Sequence, residues 1–332
     1  MLNIDKIYST LPWLELRREQ LASLVAQDRC PHALLIQGRP GVGRRHLALW
    51  LATEVLGTDP ARAPEGNREA EVGHPDFITV EPEPDKTSIG IDQIRELIRF
   101  YSLTRHGTRG RVAVIYPADS MTINAANSLL KTLEEPPAQT VIILICESLT
   151  RLPATVISRC QRIRLPAPPA ADALLWLGIE VPGTDLATML DFAGGAPLAT
   201  LALHEANFAA TANQYAADLK KLEQRGVSPV VIAERWVGRA KAQPELALQW
   251  LYWRLSRRVR ATLEALSGKA LPEMGDVSLQ TGQIRQTMQA CFRQMAQIRE
   301  LRRLNKGGIN AELNLAALLM DWYGGLGHQQ PE

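Results

Sequence analysis

A glycine-rich segment between a predicted strand and a predicted helix has the spacing of a phosphate-binding loop, GxxxxGK[ST]. Its sequence is Gly-Arg-Pro-Gly-Val-Gly-Arg-Arg, and its glycines are Gly38, Gly41 and Gly43. In such loops the backbone N–H groups surround a phosphate at the N-terminus of a helix. The two side chains that carry the chemistry are changed. Arg44 replaces the lysine that reaches the phosphates, and Arg45 replaces the hydroxyl that binds Mg²⁺, which a guanidinium cannot do.

The carboxylates that hold the metal and orient water in phosphate-loop enzymes are also missing. These carboxylates are expected at the end of the predicted strand 112–116. Tyr116 and Pro117 occupy those positions instead, and Asp119 lies beyond them. Three changes in one site predict that this chain does not hydrolyse ATP. The loop is then an inert scaffold, or a passive site where Arg44 and the backbone N–H groups attract a phosphate. A plain strand–helix turn and an active ATPase that tolerates Arg44 are the alternatives.

Two further segments are more distinctive than the loop. They read AANSLLKTLEEPP at 125–137 and LPATVISRC at 152–160. Together with His-Pro-Asp-Phe at 74–77 and the segment 89–95, they resemble the AAA+ subunits of sliding-clamp loaders. The resemblance covers about residues 28–165 and weakens in the helical half, where Gly-Gly-Ile-Asn-Ala-Glu-Leu gives modest support. A degraded phosphate loop beside an intact Ser-Arg-Cys turn is similar in particular to the delta-prime family of the bacterial DNA polymerase III clamp loader.

In clamp loaders the arginine of the Ser-Arg-Cys turn enters the ATP site of a neighbouring subunit as an arginine finger. The resemblance therefore implies that Arg159 stabilises charge on a partner's γ-phosphate, with Ser158 positioning it and Cys160 packed rather than reactive. A planar, permanently charged guanidinium suits phosphate oxygens better than an ammonium does. An ordinary surface ion pair at Arg159 is the competing interpretation. Arg162 and Arg164 are alternative candidates for the finger.

The chain departs from the family pattern in two places. Many delta-prime relatives carry four cysteines that form a zinc module, whereas residues 47–77 contain no cysteine. We therefore expect no zinc and no other cofactor on this chain, with ATP bound by a partner subunit. The lid of active relatives has an arginine after a glycine-rich turn, but here Gly194-Gly195-Ala196-Pro197 is followed by Leu198. This is a fourth loss of an ATP-handling residue.

Clamp loaders hold primer–template DNA through helix N-termini and basic side chains, so the resemblance implies a surface that faces DNA. Lys86 and Ser88 precede a predicted helix, whose N–H groups and dipole favour a phosphate. Arg105, Arg109 and Arg111 form a basic loop before the next strand. No aromatic residues alternate with these cations, so DNA contacts are expected to be salt-sensitive and directed at the backbone. A solvated surface without a DNA role is the alternative for all five residues.

The elements that position these residues alternate between strands and helices over the first 165 residues, which is typical of a parallel sheet. Apolar runs predict strands at 33–36, 76–80, 112–116 and 141–145. Apolar residues at helical spacing predict helices that include 45–56 and 91–98. A polar segment at 57–73 predicts a surface loop, and Pro166–Ala170 predicts a linker. We therefore predict an α/β AAA+ core over 1–165, a small helical lid over 166–207 and an all-α collar over 208–332.

The C-terminal region combines a basic surplus with an apolar stripe. Residues 251–310 hold 11 Lys+Arg and 4 Asp+Glu, although the net charge of the whole chain is only +2. Apolar residues recur there at intervals of three and four, at Ile284, Met288, Cys291, Met295, Ile298 and Leu301. We interpret the stripe as core or subunit interface and the basic residues as exposed helix faces. A final helix is predicted from Asn310 to about Tyr323.

Composition excludes several other classes of protein. Of 332 residues, 46% are hydrophobic and 22% are charged, as in globular proteins of two or three domains. The four cysteines (Cys30, Cys146, Cys160 and Cys291) form no CxxC pair, which excludes a disulfide scaffold and an obvious cysteine zinc site. The sequence shows neither a membrane-spanning apolar stretch nor a secretory signal. We therefore expect a cytoplasmic location.

Together with the altered phosphate loop, the resemblance implies a non-hydrolysing stator subunit of the DNA polymerase III clamp loader, an accessory subunit without intrinsic catalysis. The resemblance implies ATPase subunits of the gamma or tau type, a delta-type subunit and primer–template DNA as partners, with the sliding clamp contacted indirectly and no membrane involved. The alternative function is an active phosphate-loop ATPase, either a clamp-loader motor or a helicase-loader type. A small-molecule kinase is disfavoured, because it needs neither a long helical C-terminal region nor an exposed Ser-Arg-Cys turn.

Overall fold

The computed structural model of the chain describes residues 11–57, 74–103, 110–238, 244–267, 277–304 and 311–325. It divides into two compact units, Met1–Ala202 and Leu203–Glu332. The first unit contains the sheet and most of the segment predicted as a lid, and the described part of the second contains helices joined by turns and no strand. The finer division into three domains stays a prediction.

A five-stranded parallel sheet forms the centre of the first unit. Its strands are β1 (Ala33–Gly38), β2 (Phe77–Val80), β3 (Arg111–Ile115), β4 (Thr140–Cys146) and β5 (Gln161–Leu165), in the order β2-β3-β4-β1-β5. The register places Leu35 of β1 opposite Leu144 of β4 on one side and Arg162 of β5 on the other. The predicted α/β fold with a parallel sheet is therefore confirmed.

Helices cover both faces of this sheet. The helices of the first unit are α1 (Glu15–Ala26), α2 (Arg44–Leu56), α3 (Ile91–Ser102), α4 (Ile123–Glu134), α5 (Ala154–Ile157), α6 (Ala170–Glu180), α7 (Ala187–Phe192) and α8 (Pro197–Glu205). Strands β3 and β4 are buried along their whole length, and successive side chains point to opposite faces. Val114 and Ile143 therefore join a core with α2, whereas Ala113 and Ile142 join a core with α3 and α4.

The lid segment continues the first of these two cores. After the irregular residues 166–169, α6 buries Trp176 and Leu177, and α8 buries Leu198 and Leu201, all in the cluster that contains α2 and the phosphate loop residue Val42. The lid helices therefore pack in the same core as the phosphate loop, although they come more than 100 residues later in the chain.

The second unit consists of helices in its described part. They are α9 (Phe208–Glu223), α10 (Pro229–Gly238), α11 (Pro244–Ser267), α12 (Val277–Leu304) and α13 (Ala311–Gly325). A buried carboxylate links the first two, because Asp218 of α9 accepts hydrogen bonds from Arg235 and from Trp236 Nε1 (3.0 Å) of α10. The predicted final helix is α13, and its proposed N-cap Asn310 lies outside the described residues.

The apolar stripe in the second unit lies along α12. Cys291 and Ile298 are buried, and the other four stripe residues are half-buried. Basic side chains occupy the other faces of the same helices: Arg285, Arg293, Arg299 and Arg303 are exposed. The arrangement agrees with the interpretation of the stripe as packing surface and of the charges as solvated. Among the described residues, no helix is long and apolar enough to cross a membrane.

Candidate functional site

The phosphate loop connects the end of β1 at Gly38 to the start of α2 at Arg44. Gly41 has φ of 83° and Gly43 has φ of 92°, both in the left-handed region that side chains other than glycine adopt only with strain. The glycine spacing recognised in the sequence therefore corresponds to real backbone requirements.

The lid helix α8 covers one side of this loop. The backbone N–H of Leu198 donates a hydrogen bond to the carbonyl oxygen of Gly41 at 3.1 Å. A Cβ atom at Gly41 would lie only 2.5 Å from the backbone nitrogen and Cβ of Ala199. Leu198, at the position where the sequence predicts the loss of a lid arginine, thus contacts the loop through its backbone.

The N-terminal segment covers another side of the loop. The indole Nε1 of Trp13 donates to the carbonyl oxygen of Val42 at 3.0 Å, and the Trp13 ring packs edge-on against Trp176 of the lid at 5.3 Å between centroids. A Cβ atom at Gly43 would meet the side chains of Leu11 and Leu14 at 2.8 and 2.9 Å. The loop glycines are therefore in contact with the chain's own side chains.

Arg45 lies where a metal-binding hydroxyl is found in active phosphate loops. Its guanidinium pairs with Glu81 at 3.0 Å and stacks over the ring of Tyr116 at 5.6 Å from the centroid. Tyr116 itself occupies the position of a metal-holding carboxylate. A guanidinium cation at this place repels a divalent cation rather than binding it, so these residues do not fit Mg²⁺ bound to ATP.

The loop nevertheless keeps a positive charge. Arg44 is only 6% exposed, and its Nη1 has no hydrogen-bond partner among the described residues. Burial, together with the nearby cations Arg18 and Arg45, lowers the pKa of His46 to about 4, so this imidazole is neutral at pH 7. The loop therefore retains a buried positive charge, whereas the residues that would bind the metal are replaced.

The Ser-Arg-Cys turn lies at the surface of the first unit. It follows the short helix α5 and precedes β5, and the Arg159 side chain is 34% exposed. Its guanidinium forms an ion pair with Glu134 at the end of α4 and donates to the carbonyl oxygen of Thr155 at 2.9 Å. A second contact runs to Ser158 Oγ at 3.3 Å. Arg159 is thus partly exposed to solvent, and it forms an ion pair with Glu134 at the surface.

The neighbours of Arg159 occupy different environments. Cys160 is half-buried against the core of α3 and α4, and burial raises the pKa of its thiol to about 11, which keeps it protonated at pH 7. Arg162 and Arg164 lie two residues apart on β5, so both project from the same exposed face of that edge strand. Neither shares the turn that holds Arg159.

The N-termini of α3 and α4 lie side by side. The backbone N–H of Ile89 donates to Ser120 at 3.1 Å, and the N–H of Thr122 donates back to Ile89 at 3.0 Å. Two helix N-termini in one place add their positive dipole ends, which favours an anion such as a backbone phosphate. Lys86 is exposed beside them and pairs with Glu83 at 2.7 Å, and Ser88 is half-buried.

Arg111 does not belong to a basic surface loop, so its prediction as a DNA contact is wrong. It is the first residue of β3 and only 2% exposed, and its Nε donates to the buried carboxylate of Asp76 at 3.2 Å. A further bond reaches the carbonyl oxygen of Phe100, whose ring also lies beneath the guanidinium at 5.2 Å. Arg105 and Arg109 lie outside the described residues.

Three residues at these sites were missed by sequence reasoning. Trp13 donates a hydrogen bond to the loop at Val42, Glu81 pairs with Arg45, and Glu134 pairs with Arg159. For Glu134 a signal existed, because it lies in the segment AANSLLKTLEEPP that carries the family resemblance. Nothing in the local sequence around Trp13 or Glu81 indicates their contacts.

Comparison with known proteins gives the family. Residues 15–169 match the family described as DNA polymerase III, delta subunit. The DNA polymerase III subunit delta' of Pseudomonas aeruginosa is 32% identical over 328 residues, which covers 94% of this chain and 96% of the relative. The chain belongs to the delta-prime family. The Escherichia coli member of the delta-prime family is 36% identical over 208 residues, and the match spans 60% of its length.

The delta-prime family also has more distant relatives that share the same core. The DNA polymerase III subunit tau of Salmonella typhimurium is 30% identical over 153 residues, or 44% of this chain and 23% of the relative. The match to the family described as DNA polymerase III, delta subunit, ends at residue 169, close to the end of β5 at Leu165. This match thus covers the sheet, the phosphate loop and the Ser-Arg-Cys turn.

Proposed function

We propose that this chain is the non-hydrolysing subunit of a DNA polymerase III clamp loader and that it presents Arg159 to the ATP site of a neighbouring subunit. One observation carries the proposal: a single folded unit combines a phosphate loop in which Arg45 and Tyr116 stand in place of the metal-binding residues with a partly exposed arginine in the Ser-Arg-Cys turn. The first feature disfavours ATP hydrolysis on this chain. The second feature, Arg159, supplies a cation to the ATP site of the neighbouring subunit.

The partners follow from the same proposal. The neighbouring subunit binds ATP and Mg²⁺, and the tau subunit to which this core is similar represents the type of ATPase expected there. A delta-type subunit, primer–template DNA and, indirectly, the sliding clamp complete the assembly. Within it, Arg159 stabilises negative charge on the transferred γ-phosphate, which is the task of an arginine finger. Ser158 and Thr155 orient the guanidinium for this task.

The purified chain is expected to turn over ATP no faster than a blank. A sharper test restores the two lost residues of the phosphate loop in the double variant Arg44→Lys, Arg45→Thr. This variant is also expected to remain inactive, because no carboxylate replaces Tyr116 as a metal ligand. Release of inorganic phosphate is the measurement. Steady turnover by the unaltered chain that Arg44→Ala abolishes would establish the active-ATPase alternative.

The paired N-termini of α3 and α4 are the proposed contact with the DNA backbone, with Lys86 and Ser88 beside them. In a titration of primed DNA with the assembled loader, Lys86→Ala is expected to reduce the slope of log K against log salt by about 1, because one phosphate contact is lost. Lys131→Ala is the matched control, since Lys131 lies in the last turn of α4. Equal slopes for Lys86→Ala and the unaltered loader would remove Lys86 from this surface.

A further inference from the structure

Glu134 ends helix α4, and its carboxylate is in ion-pair contact with the guanidinium of Arg159. Both side chains are partly exposed, 34% for the arginine and 49% for the glutamate. The helix α5 that carries the turn packs against the end of α4, which fixes the two residues near each other. The ion pair therefore lies on the surface that presents Arg159.

The three acceptors around Arg159 are not equivalent. The carbonyl oxygen of Thr155, at 2.9 Å, and the hydroxyl of Ser158, at 3.3 Å, are neutral and set the direction of the guanidinium. Only Glu134 carries a negative charge. It therefore neutralises the cation, whereas the other two contacts orient it without reducing its charge.

A carboxylate and a γ-phosphate compete for the same cation. While Glu134 holds Arg159, the guanidinium attracts a phosphate less strongly, and the carboxylate itself repels the phosphate. A partly exposed ion pair of this kind changes an equilibrium by only about two- to fivefold, so a doubly charged phosphate at a subunit interface can displace it. The pair is strong enough to restrain the arginine and weak enough to be exchanged.

We propose that Glu134 is a counter-charge that restrains Arg159 until the phosphates of a neighbouring subunit's nucleotide displace it. This inference rests on the proposed role of Arg159 as a finger. Glu134 is a positioning residue in this scheme, because it acts on the nucleotide only through Arg159. Its effect is to suppress engagement of the finger when the subunits are not yet held together by clamp and DNA.

The test uses a reconstituted loader in which the subunit facing Arg159 carries the only ATPase site that is competent for hydrolysis. Glu134→Gln removes the charge and keeps the shape. We expect the KM for ATP to fall about two- to fivefold and hydrolysis without clamp or DNA to rise by a similar factor, while kcat with both present changes less than twofold. Glu135→Gln is the matched control, because it removes an adjacent exposed carboxylate.

The outcomes separate the inference from the function on which it rests. The double variant Glu134→Gln, Arg159→Ala should match Arg159→Ala alone, since Glu134 acts through the arginine. Normal kinetics for Glu134→Gln beside a strong loss for Arg159→Ala would overturn the restraint and leave the finger intact. A lower kcat for Glu134→Gln would also overturn it, because the carboxylate would then be preparing the finger. Normal kinetics for Arg159→Ala would refute the proposed function itself.

Discussion

Replacing Arg159 with alanine is expected to slow ATP hydrolysis at the neighbouring subunit's site by about 10³-fold or more. A finger acts on charge that develops in the transition state, so its loss lowers kcat more than it raises the KM for ATP. In a loader with several active sites, total hydrolysis falls only by the share of this one site. Single-turnover hydrolysis in a loader with one competent site is therefore the appropriate measurement.

Two controls make the Arg159 result specific. Arg162→Ala removes an exposed arginine from the adjacent edge strand β5 and is expected to leave hydrolysis within a factor of two. Circular dichroism and assembly of the complex should be unchanged for both variants, because Arg159 contributes to the fold only partly exposed contacts, an ion pair with Glu134 and hydrogen bonds within its own turn. If Arg162→Ala or Arg164→Ala produces the large loss and Arg159→Ala does not, the finger has been assigned to the wrong residue.

The largest effect on stability is expected from Asp76→Ala, which should lower the free energy of unfolding of the first unit by about 3–5 kcal/mol. Asp76 is fully buried and pairs with Arg111, which is also buried. Removing the carboxylate leaves a guanidinium without its counter-charge in the interior, which costs far more than the loss of a surface pair. The remaining bond from Arg111 to the carbonyl oxygen of Phe100 does not neutralise the charge.

Hydrogen exchange of the β3 amides is the suitable measurement, because it reports on the first unit even when the second unfolds separately. Urea titrations of the full chain complement it. Asp92→Ala is the control: Asp92 forms an exposed pair with Arg95 at 3.1 Å, and its loss should change stability by less than about 1 kcal/mol. Equal effects of the two substitutions would show that the pair of Asp76 and Arg111 is not a stabilising core element.

Sequence patterns predicted most of the sheet. Strands β1, β3 and β4 are continuous apolar runs because both of their faces are covered, and such runs are readable in a single sequence. The edge strand β5 was missed, since Gln161, Arg162 and Arg164 are exposed and leave only Ile163 and Leu165 as apolar signals. An edge strand of this kind is defined by its pairing with β1, which no local pattern records.

At the candidate site, too, the sequence predicted the features that depend on neighbouring residues and missed the contacts between residues far apart in the chain. Glycine spacing revealed the phosphate loop, and residue identity revealed the loss of its lysine and hydroxyl. The packing of the loop depends on contacts that no local pattern records. Trp13 bonds to Val42, 29 residues later in the chain, and Leu198 of the lid helix bonds to Gly41. Arg111 was wrongly placed on the surface because its partner Asp76 lies 35 residues away and only the fold brings the two together.

The contacts of the phosphate loop with Trp13 and Leu198 have a consequence for evolution. The loop packs against the N-terminal segment and the lid, so residues of these three elements have to fit one another, much as in a core. Substitutions there should accordingly co-vary among the N-terminal segment, the loop and the lid. A change in one of the three is expected to be tolerated when the other two change with it.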